Sequence, residues 1–214
     1  MYPYKEIDEY AKKEIENINV AFNDLEFGRE DAVRNEKFFN CKFVGCTFLV
    51  DQIVLTEFEN CHFLNCIFTV SAKSVKENYV FSNTSYLHCS FLKCSFLEVK
   101  SCYEFMKECI FEQTIFRKTK LEGYLLSDVH FKHCIMSEFS LANSVAPLLL
   151  FKDCKITDRV DIRETKIGSL SLVGVEKESL LWTNTEIMNV DFGTGQSKIF
   201  NPANKVEIPD FMTK

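Results

Sequence analysis

The chain has 214 residues, 46% hydrophobic and 26% charged, with 21 Phe and only 7 Gly, a globular composition whose aromatic volume needs a large, regular core. Its apolar runs are short, as in VAPLLLF at 145–151, and none approaches the roughly 20 residues that cross a bilayer. The net charge of −6 sits mostly at the front, since residues 38–192 hold 16 basic and 19 acidic groups for a balance of −3. There is no basic patch or run, so neither direct nucleic-acid binding nor a membrane partner is expected.

Residues 1–19 read as a cap. Ile7, Tyr10, Ala11, Ile15 and Ile18 recur at helical spacing, which predicts an amphipathic helix over 4–18. The opening MYPYKEIDEYAKKE is charged and lacks the apolar core of a signal peptide. The expected compartment is therefore the cytoplasm, where cysteines stay reduced.

From Phe38 a large apolar residue returns every five positions: Phe38, Phe43, Phe48, Ile53, Phe58, Phe63, Phe68. The series resumes at Phe81 and runs through Tyr86, Phe91, Phe96, Ser101, Met106, Phe111, Phe116, Leu121, Leu126, Phe131, Met136, Leu141, Ala146, Phe151 and Ile156. One extra residue near Arg159 shifts the phase, and Ile162, Ile167, Leu172, Lys177, Trp182, Ile187 and Phe192 follow. Ser101 and Lys177 are the polar misfits. Neither a helix, at 3.6 residues, nor an ordinary strand, at 2, repeats every five.

A coil with four five-residue sides does repeat that way. The unit's centre, i, and position i−2 both point inward. Twenty residues complete a turn, and successive turns stack at about 4.8 Å, so about eight coils make a rod roughly 38 Å long. An insertion of eight residues, at 69–80, keeps the columns aligned. Side one then carries Phe43, Phe63, Phe91, Phe111, Phe131, Phe151, Leu172 and Phe192; side two carries Phe48, Phe68, Phe96, Phe116, Met136, Ile156 and Lys177. Side three runs from Ile53 and side four from Phe38. Nine of the ten Cys occupy i−2 on sides one and two, with Cys102 the exception, so they read as small, buried packing residues. Asp51, Tyr79, Glu104, Tyr124 and Phe139 are too large or charged for that slot, which predicts bulges or distorted corners on sides three and four. The tail 193–214, with Pro202 and Pro209, reads as irregular or extended, and Trp182 and Phe200 are placed to cover the last coil.

The pattern resembles the pentapeptide-repeat family. NCKFVGCTF, NCHFLNCIF and HCSFLKCSF carry the likeness, which covers about 38–192 and starts at Phe22 and Phe27. The resemblance implies an all-β fold, a right-handed quadrilateral parallel β-helix spanning 20–192.

Chemistry is sparse. His62, His88, His130 and His133 fall at outward positions without an outward Ser or Cys nucleophile beside them, so no catalytic residue is expected. The Cys columns run parallel among phenylalanines instead of converging as zinc ligands do, so neither metal nor cofactor is expected. Disulfides between turns are not favoured by direction. Cys102 is the one candidate exposed thiol. GTGQSK at 193–198 lacks the full phosphate-loop spacing and reads as a turn.

The outward positions of sides one and two are apolar: Val44, Leu49, Leu64, Ile67, Leu92, Leu97, Ile110, Ile115 and Ile135. Such a stripe marks an interface or lies under the N-terminal helix. The loop at 69–80, with Lys73 and Lys76, is a second candidate. The expected function is a non-enzymatic scaffold for an unnamed protein partner, with a homodimer left open. The alternative comes from the resemblance alone: quinolone-resistance members of the family mimic DNA and bind DNA gyrase or topoisomerase IV. A duplex of the rod's length carries some twenty negative charges, against −3 for residues 38–192.

Overall fold

The computed structural model describes residues 15–29, 32–71, 83–102, 104–175, 177–193 and 197–199; for Ile15, Cys102, Lys177 and residues 197–199 it describes the backbone only. Helix positions 4–14, the loop residues Lys73 and Lys76, Tyr79, Phe81, Phe200 and both tail prolines fall outside that set. The described residues form a parallel β-solenoid of about 8 turns. Its short strands lie five residues apart, each hydrogen-bonded to the strand one turn away.

Register gives the turn length directly. Lys37–Phe39 pairs with Glu57–Glu59, Phe43 with Phe63, and Phe48 with Phe68, an offset of twenty. Across the insertion the offset becomes twenty-eight, as in Phe63 with Phe91 and Phe58 with Tyr86, so the eight-residue loop keeps every column intact. The phase shift also lies where the sequence puts it: Met136 pairs with Ile156, but Phe139 with Val160.

Each five-residue unit fixes its corner with the same device. The residue at i+2 usually takes a left-handed conformation, as at Asn40, Asn60 and Asn65, with φ of 52 to 54°. Asn tolerates this best, yet Lys93 and Glu108 do the same, at 54° and 52°. The compensation is a backbone bond to the next turn: Asn40 N–H donates to Glu59 O and His88 N–H to Lys107 O, at 2.9 and 2.8 Å. The N–H at i−1 donates the other way, to the preceding turn, as His62 does to Cys41 O at 2.9 Å. No backbone group on these sides is left for a helix to satisfy.

Inside, the i−2 slot often holds a small side chain with a proton to donate. Cys61 Sγ donates to Phe38 O at 3.2 Å and Cys94 Sγ to Phe63 O at 3.4 Å. Thr114 and Thr119 Oγ1 make the same bond to Phe91 O and Phe96 O at 3.0 and 2.9 Å. The nine cysteines at this position are free thiols, all buried. The centres stack: on side one, rings from Phe22 to Phe151 follow one another with centroids 4.5 to 5.1 Å apart.

Four expectations are corrected or made definite. Ile15–Ile18 is a strand, not the end of a helix, and pairs in parallel with Glu36–Phe39. Its apolar residues recur at a spacing that a coil with a five-residue side also generates, and the backbone donors of the next turn decide the outcome. Among the described residues the only helical elements are single 3-10 turns at Val50–Gln52 and Lys177–Ser179. Lys177 therefore does not fill a side-two slot, because the strand column ends before it.

The second correction concerns distortion. Asp51 does sit in the irregular turn Val50–Gln52. Phe139, however, is buried without disturbing the register, whereas Tyr124 is buried just before a shift in it. Phe139 lies 4.7 Å from the ring of Phe116, beside the smaller centres Met136 and Leu141. Tyr124 fills the volume that Ser101 leaves, and its hydroxyl bonds Ser101 Oγ and, at 2.7 Å, Glu104 Oε2.

The third concerns the bulge expected on side four, which falls just beyond Tyr124. Leu125 pairs with Val145, but Ser127 pairs with Leu148 and Val129 with Leu149. Pro147 forces this wider corner, since its ring fixes φ and removes a donor. On the next turn a Cβ on Gly168 would meet Pro147 O at 2.5 Å, so only glycine fits there.

The fourth concerns the tail. Ser197–Ile199 is a strand that returns antiparallel along Asn189–Asp191. It pairs the open edge of the last turn, which protects that edge.

Candidate interaction surfaces

The apolar residues singled out in the sequence occupy separate ladders. On side one Val44, Leu64 and Leu92 stand on three successive rungs. The ladder ends where Leu92 meets Glu112. Ile67 points out on the neighbouring side two, just past the corner at Asn65. Its column continues Ser95, Ile115, Ile135 and Lys155. Leu49 pairs with Thr69, and Leu97 with Arg117, on the other edge of side two. Ile110 stands between Ser90 and His130, apart from the rest.

Exposure separates two kinds of member. Ile67, Ile110, Ile115 and Ile135 are 36 to 42% exposed. Val44, Leu49, Leu64, Leu92 and Leu97 are half-buried, and of these Val44, Leu64 and Leu92 stand on successive rungs. The first group offers protruding single side chains and the second a continuous, low-relief strip.

A second apolar ladder escaped the sequence reading. Phe105, Leu125 and Val145 stand on three successive rungs of side four. Leu125 and Val145 are 44% and 45% exposed. The signal was available, because all three sit at i−1 with a period of twenty. Attention to the cysteine-bearing sides passed over it.

The histidines do point outward, with one surprise. His62 Nδ1 lies 2.7 Å from Ser90 Oγ on the adjacent rung. The sequence reading found no outward Ser beside a His, because the inserted loop separates this pair by 28 residues. The contact has little of a catalytic site about it. It lies on an exposed strand face, His62 has no carboxylate partner among the described residues, and Ser90 N–H is already bonded to Cys61 O. His88 pairs with Glu108 at 2.9 Å and His130 with Asp128 at 2.8 Å.

The interior is chemically quiet. Burial pushes the thiols of Cys41, Cys46 and Cys89 above the ordinary thiol range, which removes the thiolate that reactivity or metal binding needs. It likewise raises Tyr86 and Tyr124 far above the usual phenol value. Among the described residues no group of three or more His, Cys, Asp or Glu is placed to hold a metal. No helix among them is long and apolar enough to cross a membrane.

Solved structures with a similar chain trace include a trypsin-treated variant of QnrB1, a plasmid-mediated fluoroquinolone resistance protein, at 14% identity and TM-score 0.46. The match covers 80% of this chain and 91% of that one. HetL, a pentapeptide repeat protein involved in heterocyst differentiation regulation in the cyanobacterium Nostoc, matches at 10% identity and TM-score 0.28, covering 92% and 100%. A tailspike protein of an E. coli bacteriophage matches at 13% identity and TM-score 0.36, covering 81% and 38%. No family model and no curated protein matches the chain. None of these likenesses is close enough to transfer a function.

Proposed function

We propose that this protein is a non-enzymatic scaffold that docks a protein partner on the corner between sides one and two. The observation that carries the reading is the unbroken ladder Val44, Leu64 and Leu92 beside Ile67. The N–H groups of Lys42, Gly45, His62, Asn65, Ser90 and Lys93 each donate to a neighbouring turn, so the strip needs little ordering on binding. An apolar strip with polar residues at its edges, here Glu112 and Lys42, fits the core-and-rim anatomy of protein interfaces.

The test is a Leu64→Glu, Leu92→Glu variant compared with wild type in cross-linking from cells that express the protein. Both residues are surface-facing, so the variant folds, and the cross-linked partner is lost. Retention of the same partner at the same yield would remove this corner as the docking site.

DNA mimicry toward gyrase remains the alternative reading, on the resemblance alone. Side four illustrates what weighs against it: Lys37 stands beside Glu57 and Lys166 beside Glu186, so charges alternate in place of forming an acidic column. A supercoiling assay with and without a quinolone separates the two. The scaffold reading predicts no change as the protein is titrated in. Inhibition or drug rescue at micromolar protein would favour mimicry.

A further inference from the structure

We infer that side four is a self-association surface, on which two copies pack face to face with their rods antiparallel. The inference goes beyond the docking proposal, because side four meets side one at its other corner and leaves the corner between sides one and two free.

The argument is the order of residues along two outward columns. Beyond an outermost Glu16, the first column reads Lys37, Glu57, Ser85, Phe105, Leu125, Val145, Lys166, Glu186, each pairing with the next across one rung. Its middle is apolar and its two ends carry opposite charges in matching order. A two-fold axis that runs along the strand direction, between the rungs of Phe105 and Leu125, reverses the second copy. Each column then faces itself.

Under that operation Phe105 meets Leu125 of the second copy, and Ser85 meets Val145. One rung further out Glu57 meets Lys166, and beyond that Lys37 meets Glu186. The second column agrees. Phe39 meets Met188, and these two are 41% and 58% exposed. Leu87 meets the bulge at Pro147 and Leu148, Glu59 meets Gly168, and Lys107 meets Ser127. Within these two columns no like charges are opposed; Glu108 and Asp128 lie outside them, at the corner toward side one. A symmetric dimer needs a surface of this kind, in which residue i accepts j and j accepts i.

The strip is eight rungs long, or about 34 Å between its end rungs at the strand spacing. It is narrow, which puts it at the low end of specific interfaces, near 1,200 Å² in total. A dissociation constant in the micromolar range follows. The apolar centre supplies affinity and the outer charges fix direction, since a parallel arrangement would not bring Glu57 to Lys166.

Sedimentation of the full chain over a concentration series tests this. Wild type dimerises at micromolar concentration, and Leu125→Asp is monomeric. Glu57→Lys and Lys166→Glu each turn two attractive contacts into two repulsive ones, and each raises the dissociation constant about tenfold or more. An equimolar mixture of the two variants restores wild-type affinity, because every outer contact in the mixed dimer is again between opposite charges. A tight two-fold stack of a different geometry would not show that restoration. Lys37→Glu and Glu186→Lys repeat the design on the outer rung should circular dichroism show that either first variant is unfolded. A wild-type monomer at all concentrations, a dimer indifferent to the reversals, or a mixture no tighter than its parts would overturn the inference.

Discussion

The first four turns and the last four solve one packing problem in two ways. Up to Phe96, most centres are phenylalanine and nearly all i−2 slots on sides one and two are cysteine. Rings stack above rings with centroids as close as 4.4 Å. After Phe111 the centres shrink to Met136, Leu141, Ala146 and Ile167, while the i−2 slots grow to Val129, Phe139, Leu149 and Leu170, all buried. Volume lost at the centre returns at the slot, because the rod's interior has a nearly constant cross-section set by its backbone. What the chain conserves from turn to turn is the sum, not the residue at each position.

Truncation in the first half has the largest expected effect. Phe63 lies between Phe43 and Phe91, at 4.9 and 4.7 Å. Phe63→Ala opens a cavity that stacked neighbours cannot close and costs about 3–5 kcal/mol in denaturant unfolding. Ile167→Ala in the second half costs less, about 2–4 kcal/mol, since aliphatic neighbours relax further. Equal losses would mean that the two halves are packed alike after all.

A double-mutant cycle at Ser101 and Tyr124 sharpens the idea of shared volume. Ser101→Leu alone overpacks and Tyr124→Ala alone leaves a void. The pair together is more stable than the sum of the two, with a coupling of about 1–3 kcal/mol. Additive losses would show that Tyr124 does not fill the space of Ser101.

The smallest effect is one of pH. Unfolded cysteine ionises near pH 8.5, whereas burial raises the folded values of Cys41, Cys46 and Cys89. The unfolded chain therefore loses protons first. The contribution is fully present below about pH 8.5 and is lost as pH rises toward the folded values. Melting temperature should fall on the alkaline side, and hydrogen exchange should quicken first in turns one to four, where Cys41, Cys46 and Cys89 lie. A melting temperature flat to pH 10 would contradict the burial of these thiols.

Much of this was legible in the sequence, for a definite reason. A five-residue period has no other common origin, and the insertion of eight announces itself by restoring the cysteine columns. Three features were not legible. Ile15–Ile18 satisfies a helical spacing and a coil side equally, and only pairing with Glu36–Phe39 decides between them. The bulge at Pro147 depends on the corner of the previous turn. Tyr124 and Phe139 look wrong one at a time, and become right only when Ser101 and Met136 are placed beside them. The outward ladders follow the same rule. Val44, Leu64 and Leu92 could be read from the phase, but which face is self-complementary emerges only when all rungs are laid side by side.

The account rests on an interior that is packing alone, with function confined to the outer faces. Titration of thiols in the native protein with a thiol-reactive disulfide reagent tests it most directly. The nine i−2 cysteines should stay unreacted in buffer and all react after denaturation, with Cys102 outside the count. Rapid native reaction of several of the nine would contradict both the buried columns and the solenoid that they define.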